Sequence, residues 1–220
     1  MKAVHLPSWK RSRQIAGISS DGIPKPIFYL SALIPWIYFS STISSAGLSL
    51  VTNSALLTKI YFPRIILPGA AALGGLLDFF IATVMLIGFA VYYQVPLGWN
   101  LLLWPALVVP LALLAFGISA FLAALNVKYR DVKYAIPFGI QLWLFITPVI
   151  YPSSFFPENI RWVLALNPMT GLIEAFRYSL VPTQQINWNL LWISLASTVF
   201  IFIFGVRYFR RTERAFADII

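Results

Sequence analysis

The chain has 220 residues, of which 60% are hydrophobic and 10% charged, and its net charge is +9. It has no cysteine and a single histidine, His5, which excludes disulfides, thiolate metal sites and histidine-based catalytic or metal-binding clusters. It also lacks the G-x-x-x-x-G-K-S/T loop of nucleotide-binding proteins and any paired-carboxylate motif. We therefore expect no catalytic residue, no metal site and no bound cofactor in this chain.

The first 26 residues form a polar leader and loop. Lys10, Arg11 and Arg13 are followed by a polar stretch and not by an apolar core, which excludes a secretory signal peptide. Five apolar segments follow, the first weaker than the others: 27–51, 65–93, 101–127, 134–151 and 188–206. A helix needs ~20 apolar residues to cross a ~30 Å hydrocarbon core, and continuously apolar segments are unlike the alternating strands of a barrel. The sequence therefore predicts an all-α integral membrane protein with five transmembrane helices in residues 27–206, followed by a basic tail, 207–220.

Basic residues fall in alternate loops of this arrangement. Lysine and arginine are concentrated in loops 52–64 and 126–133 and in the tail, whereas loop 93–100 carries no charge. The positive-inside rule places the basic loops and the C-terminus in the cytoplasm, and it explains the net charge without nucleic-acid binding. Five spans then put the N-terminus outside, although the leader is basic. Either the leader is translocated despite its charge, or a helix that once preceded Ser20 is absent.

Loop 52–64 has the pattern of a short amphipathic helix. Asn53 is a plausible N-cap, Pro63 stops the helix, and a polar face carries Lys59. The apolar face is formed by Leu56, Leu57, Ile60 and Tyr61. We expect this helix to lie at the cytoplasmic surface, either as an anchor in the lipid interface or as a docking helix for a cytoplasmic partner.

Region 152–182 breaks the pattern of long helices. Asn167, Pro168 and Gly171 interrupt its apolar part, because proline removes a backbone donor and disfavours helix just before it. Two short helices fit better than one span, and the charge rule requires both to enter and leave on the outer side. Their predicted bounds are 160–166 and 169–180. Such a re-entrant pair is tolerated where protein buries it or where it lines a wet cavity; the alternative is an amphipathic loop at the interface.

Charged residues inside the predicted helices are few, and a charge at the bilayer centre costs ~2.5–3.5 kcal/mol on insertion scales. Asp78 lies 13 residues after Ile65, roughly 20 Å along its helix. We expect Asp78 to face the bundle interior, as a channel-lining group or as a carboxyl tied to hydroxyls of a neighbouring helix. Glu174 and Arg177 are spaced to pair with each other, and a substrate contact is the alternative for Glu174.

Four stretches of sequence closely resemble the permease family of ABC type-2 transporters. They are NSALLTKIYFPRIILP, LNVKYRDVKYAIPF, QLWLFITPVIYP and LNPMTGLIEAFRYSL, at 53–68, 125–138, 141–152 and 166–180. Within that family they are similar to the branch that exports cell-surface polysaccharides, which include O-antigen, capsule and teichoic acid. The resemblance extends over about residues 20–211.

The resemblance implies a homodimer of permeases in the bacterial cytoplasmic membrane, with cytoplasmic ATPase subunits that bind ATP and Mg, and a lipid-linked glycan as the substrate. It assigns coupling to the ATPase to Asn53, Leu56, Lys59, Tyr61, Phe62, Pro63 and Arg64. It assigns a second cytoplasmic contact to Lys128, Tyr129, Arg130 and Asp131, and the re-entrant region to Asn167, Pro168, Gly171, Glu174 and Arg177.

The start of the chain departs from the family pattern. Family members usually begin with an amphipathic cytoplasmic helix and a first membrane span, and residues 1–19 resemble neither. Two alternatives to glycan export therefore stay open: a type-2 permease for a drug or a lipid, and a truncated paralogue that does not transport. A membrane-embedded transferase is disfavoured by the lack of clustered histidine, cysteine or carboxylate residues.

Overall fold

The computed structural model describes residues 24–59, 62–151, 164, 166–180 and 186–213, and the elements within them are helices. Their bounds are α1 Lys25–Thr52, α2 Ser54–Lys59, α3 Ile66–Tyr92, α4 Leu103–Lys128, α5 Val132–Ile146, α6 Pro168–Leu180 and α7 Trp188–Glu213. A short 3-10 helix, Trp99–Leu102, leads directly into α4. The predicted all-helical class is confirmed for this part of the chain.

Four helices are long and apolar enough to cross a membrane: α1, α3, α4 with its 3-10 turn, and α7. They match four of the five predicted segments to within a few residues at most ends, and they make the chain a multi-pass membrane protein. The main difference is at the end of α7. This helix continues to Glu213, so the first part of the predicted basic tail is helical.

The predicted span 134–151 is shorter in the structure, where α5 covers Val132–Ile146. Its 15 residues rise about 22 Å, which is less than the ~30 Å of the hydrocarbon core. The helix ends because Thr147 precedes Pro148, and a residue before proline avoids the helical region. Thr147 is extended, with φ −93° and ψ 134°.

Helix α1 contains many hydroxyl residues, which made its segment the weakest in the sequence. Five of its serine hydroxyls are satisfied inside the helix, because they donate to backbone carbonyls three or four residues earlier. The donors are Ser31, Ser40, Ser41, Ser45 and Ser49. Helix α1 can therefore cross lipid despite its composition, since no serine hydroxyl in this set needs water.

Helices α1 and α4 form the centre of the bundle, with α3 packed mainly on α1 and α7 mainly on α4. The short helix α6 packs against α1, α4 and α7. Eleven of its 13 residues are buried. By contrast, Ile136 is the buried residue of α5, whose remaining side chains are partly or fully exposed.

Helices α4 and α7 cross at two glycines. A Cβ atom on Gly205 would lie 2.8 Å from the carbonyl carbon of Gly117, and a Cβ on Gly117 would lie 2.6 Å from Cα of Phe202. Both distances are shorter than van der Waals contact, so the backbones approach this closely only because neither residue has a side chain. Small residues at such crossings are typical of helix pairs in membranes, where packing drives association.

Candidate functional site

A small hydrophobic cluster, separate from the main core of the bundle, joins the helix ends at one end of the bundle. We call it the end cluster; its buried members are Leu50, Ala120, Ala123, Ala124, Val127 and Phe209, with Ile65, Leu67 and Tyr208 packed against them. It brings together the last turns of α1, α4 and α7 and the start of α3. Because segment 53–64 follows α1 and segment 128–131 follows α4, the two segments predicted to contact an ATPase emerge from the same end.

The first of these segments begins where α1 stops. The backbone N–H and the side-chain amide of Asn53 both donate to the carbonyl of Ser49, at 3.1 and 2.8 Å. These two bonds close α1, and the carbonyl of Asn53 accepts from the backbone N–H of Leu56 in α2, which starts at the next residue. Leu56 is 45% exposed, as expected for an apolar residue available to a partner or to lipid. The side chain of Lys59 and the whole of Tyr61 lie outside the described residues.

Arg64 ties this segment to the end of α7. Its backbone N–H donates to Oε1 of Glu213, and its Nη1 donates to the main-chain carbonyl of Glu213, both at 3.1 Å. The preceding residues Phe62 and Pro63 are half-buried and exposed. Arg64 therefore links this segment directly to the last residue that the structure describes in α7.

The second predicted contact is a short exposed turn. Lys128, Tyr129, Arg130 and Asp131 are all exposed between the end of α4 and the start of α5. The Lys128 ammonium lies 5.2 Å from the centre of the Tyr129 ring, which is within cation–π range. This turn offers charged and aromatic groups to solvent or to a partner at the same end as Arg64.

At the opposite end, Asn167 starts α6 and fixes it to α5. Its Oδ1 accepts from the backbone N–H of Met169, which is the bond of an N-cap, and Pro168 occupies the first helical position, where proline is favoured. The same Oδ1 accepts from the indole of Trp143, and Nδ2 donates to Thr147. Helix α6 thus begins at Pro168, one residue before the start predicted for the second short helix, whereas most of the predicted first helix, 160–166, lies outside the described residues.

Gly171 and Arg177 place α6 against its neighbours. The Gly171 N–H donates to Oγ of Ser194 on α7 at 3.2 Å, and a Cβ on Gly171 would lie 2.8 Å from the carbonyl oxygen of Leu190. Arg177 is 3% exposed. Its guanidinium lies 3.9 Å from the centre of the Phe28 ring on α1.

The Arg177 guanidinium also binds the chain that leaves α5. Its Nη2 donates to the carbonyl of Val149 at 2.6 Å, and its Nη1 approaches the carbonyl of Tyr151 at 3.4 Å. Arg177 therefore connects α6, α1 and the segment after α5. Glu174 is half-buried on the same helix, and its predicted pairing with Arg177 stays a prediction.

The prediction that Asp78 faces the interior of the bundle is wrong for the helices of this chain. Its side chain is exposed on α3. The inward stripe of α3 consists of Pro68, Ala72, Phe79, Thr83, Leu86 and Ala90. Asp78 lies beside Phe79 but off this stripe, because successive residues of a helix point about 100° apart.

Comparison with known sequences decides the family. The signature of the family described as ABC-2 type transporter matches residues 9–181. The chain belongs to the ABC-2 type transporter family. Such a chain is the membrane subunit of a transporter and not a catalytic one.

Three similar proteins carry the name O-antigen export system permease protein RfbA. Two are from Klebsiella pneumoniae, 27% and 26% identical over 198 residues, which are 88% of this chain and 75% of each relative. The third is from Myxococcus xanthus, 31% identical over 163 residues, covering 73% of this chain and 63% of that protein.

Three contacts of this ABC-2 permease chain were missed by sequence reasoning. Glu213 lies among arginines, and sequence reasoning assigned it no role beyond membership of the basic tail. Ser194 and Val149 gave no signal, because one is a hydroxyl in an apolar helix and the other acts through its backbone. Within the described ranges, no group of three histidine, cysteine or acidic residues could hold a metal ion.

Proposed function

We propose that this chain is the permease subunit of an ATP-driven exporter that moves a lipid-linked polysaccharide across the bacterial inner membrane. The class of substrate is supported by the relatives named as O-antigen export permeases. The ATP-driven mechanism is supported by the position of the two predicted contact segments, 53–64 and 128–131, at one end of the bundle. A partner subunit supplies the nucleotide site, with its ATP and Mg.

The coupling role of segment 53–64 is supported by the contact between Arg64 and Glu213. When the ATPase moves the segment, Arg64 carries the motion to α7, and Ser194 of α7 bears directly on Gly171 of α6. The proposed topology places this end and the C-terminus in the cytoplasm, with α5 as a fifth crossing. It places α6 in a re-entrant structure at the outer side.

A second copy of the permease completes the proposed passage. The support is the surface of α5, which is largely exposed although this helix carries aromatic and aliphatic residues throughout. The most exposed of them are Tyr134, Phe138, Phe145 and Ile146. A role for Asp78 in lining a passage requires such a second copy, since its carboxylate does not face the helices of its own chain.

Complementation tests this function. A strain deleted for its own O-antigen export permease and ATPase receives this chain together with the ATPase from its genomic neighbourhood, and surface polysaccharide is quantified. We expect polysaccharide to reach the surface with the pair and to accumulate inside with the chain alone. If the pair restores no polysaccharide but extrudes drugs or lipids, the assignment of the substrate class is wrong.

The coupling segment is tested in the same strain. The double substitution Tyr61→Ala and Arg64→Ala should abolish export and leave membrane insertion intact. Trp99→Ala is the matched control, because Trp99 is 88% exposed at the opposite end of the bundle. Normal export by the double variant would contradict the coupling assignment.

A further inference from the structure

The outward surface of α7 carries a groove of about 460 Å³ that the transport proposal does not use. We call it the arginine–aromatic groove; it is lined by Phe200, Ile203, Phe204, Arg207, Tyr208 and Arg211. From Phe200 to Arg211 the helix rises about 16 Å, which is close to half of the ~30 Å hydrocarbon core. The groove is thus about as long as one membrane leaflet is thick, and its charged end carries Arg207 and Arg211.

Aromatic rings form a continuous ladder along the groove. Phe200, Phe204 and Tyr208 follow one another at four-residue spacing, which places them on the same helix face. The ring centres of Phe200 and Phe204 are 6.5 Å apart with planes at 16°, and those of Phe204 and Tyr208 are 6.3 Å apart at 24°. Phe200 is 70% exposed and Phe204 is 51% exposed, so the ladder presents apolar faces away from the protein core.

The charged end of the groove is purely cationic. Arg207 and Arg211 are both exposed one turn apart, and among the described residues no ion pair engages either of them. The acidic residue of this helix end, Glu213, is bound to Arg64. Within the described part of the chain, no ion pair joins that carboxylate to Arg207 or Arg211.

We propose that the arginine–aromatic groove binds an anionic phospholipid of the adjoining leaflet, with the phosphate between Arg207 and Arg211 and an acyl chain along the ladder. Guanidinium groups suit phosphate because their planar donors match its oxygens in pairs. The charge of the groove selects an anionic lipid over a zwitterionic one. The ladder suits an acyl chain, since the groove is about as long as one leaflet is thick and the exposed ring faces are apolar.

The test measures lipid binding to the full purified chain. The chain in mild detergent is titrated with phosphatidylglycerol and, separately, with phosphatidylcholine, and bound lipids are counted by native mass spectrometry. We expect one phosphatidylglycerol to be retained well beyond phosphatidylcholine. The double substitution Arg207→Gln and Arg211→Gln should weaken that binding about 30-fold, since each arginine whose guanidinium contacts the lipid phosphate directly contributes a factor of roughly five.

Two control variants separate the groove from general charge. Arg210→Gln removes an exposed arginine of the same turns that does not line the groove, and it should change phosphatidylglycerol binding less than twofold. Phe204→Ala should weaken binding of both lipids, because it interrupts the ladder. An equal loss in Arg210→Gln, or no preference of the unaltered chain for phosphatidylglycerol, would overturn the proposal. So would a disulfide between two copies carrying Phe204→Cys, because a second copy would then occupy the groove.

Discussion

Replacing Arg177 with glutamine should destabilise the protein, because it removes the cation that joins α6 to α1 and to the segment after α5. The 2.6 Å bond to the Val149 carbonyl is a hydrogen bond from a charged group, a class that contributes about 1.5–3 kcal/mol. The contact with the Phe28 ring adds about 2 kcal/mol for a desolvated pair. The 3.4 Å approach to Tyr151 is too long to count fully. Recovered hydration of the guanidinium subtracts from this sum, so we expect a net loss of ~2–3 kcal/mol.

The assay is thermal unfolding of the full chain in a mild detergent, followed by tryptophan fluorescence. For a domain of this size, each kcal/mol corresponds to about 2–4 °C, so Arg177→Gln should lower the midpoint by about 4–12 °C. Arg177→Lys keeps the charge but loses the planar donors, so its midpoint should fall between those of Arg177→Gln and the unaltered chain. Arg210→Gln, an exposed arginine, is the control for removing a charge. A midpoint for Arg177→Gln equal to that of the unaltered chain would refute the reasoning.

Three further predictions concern other contacts of the bundle. Gly205→Ala should force α4 and α7 apart and cost about 1–3 kcal/mol or more. Gly88→Ala, which has open space around it inside α3, should be neutral or stabilise the protein by up to about 1 kcal/mol; thermal midpoints of both variants check this. Glu213→Ala should leave the unfolding midpoint within a few degrees but uncouple ATP hydrolysis from export, because the backbone N–H of Arg64 loses its carboxylate acceptor. The readout is ATP hydrolysis without matching polysaccharide export, and full export would contradict the prediction. Asn167→Ala should lose the N-cap of α6 and its bonds to α5, costing about 1–2 kcal/mol, and a midpoint within 1 °C of the unaltered chain would argue against that role.

The long helices could be predicted from sequence because a helix that crosses lipid must consist of a long run of apolar residues. Segments such as that of α3 meet this requirement in nearly every residue, so their bounds were close. The same uniformity hides which side of a helix faces inward. The cost of burying a charge in lipid predicts that Asp78 faces the interior. In the structure the side of α3 that contains Phe79 faces the other helices, and Asp78 is exposed.

The contacts that define the candidate site could be predicted only in part. The break at Asn167 and Pro168 was visible, since proline and an amide cap have strong local preferences. The role of Arg177 was not, because its described hydrogen-bond partners are backbone carbonyls, which every residue possesses. Likewise, the bond from Arg64 to Glu213 joins residues 149 positions apart, and no local pattern announces such a pair.

Helix α6 has a consequence for the order in which the protein is made. Its 13 residues rise only about 20 Å, and it carries Glu174 and Arg177, so it cannot partition into lipid as an independent unit. Two of the helices that cover it, α1 and α4, are synthesised before it, but the third, α7, is synthesised after it. Until α7 arrives, the Gly171 N–H lacks its Ser194 acceptor. A nascent chain interrupted before α7 would therefore leave one side of α6 uncovered, so the burial of α6 is completed only when α7 has been synthesised.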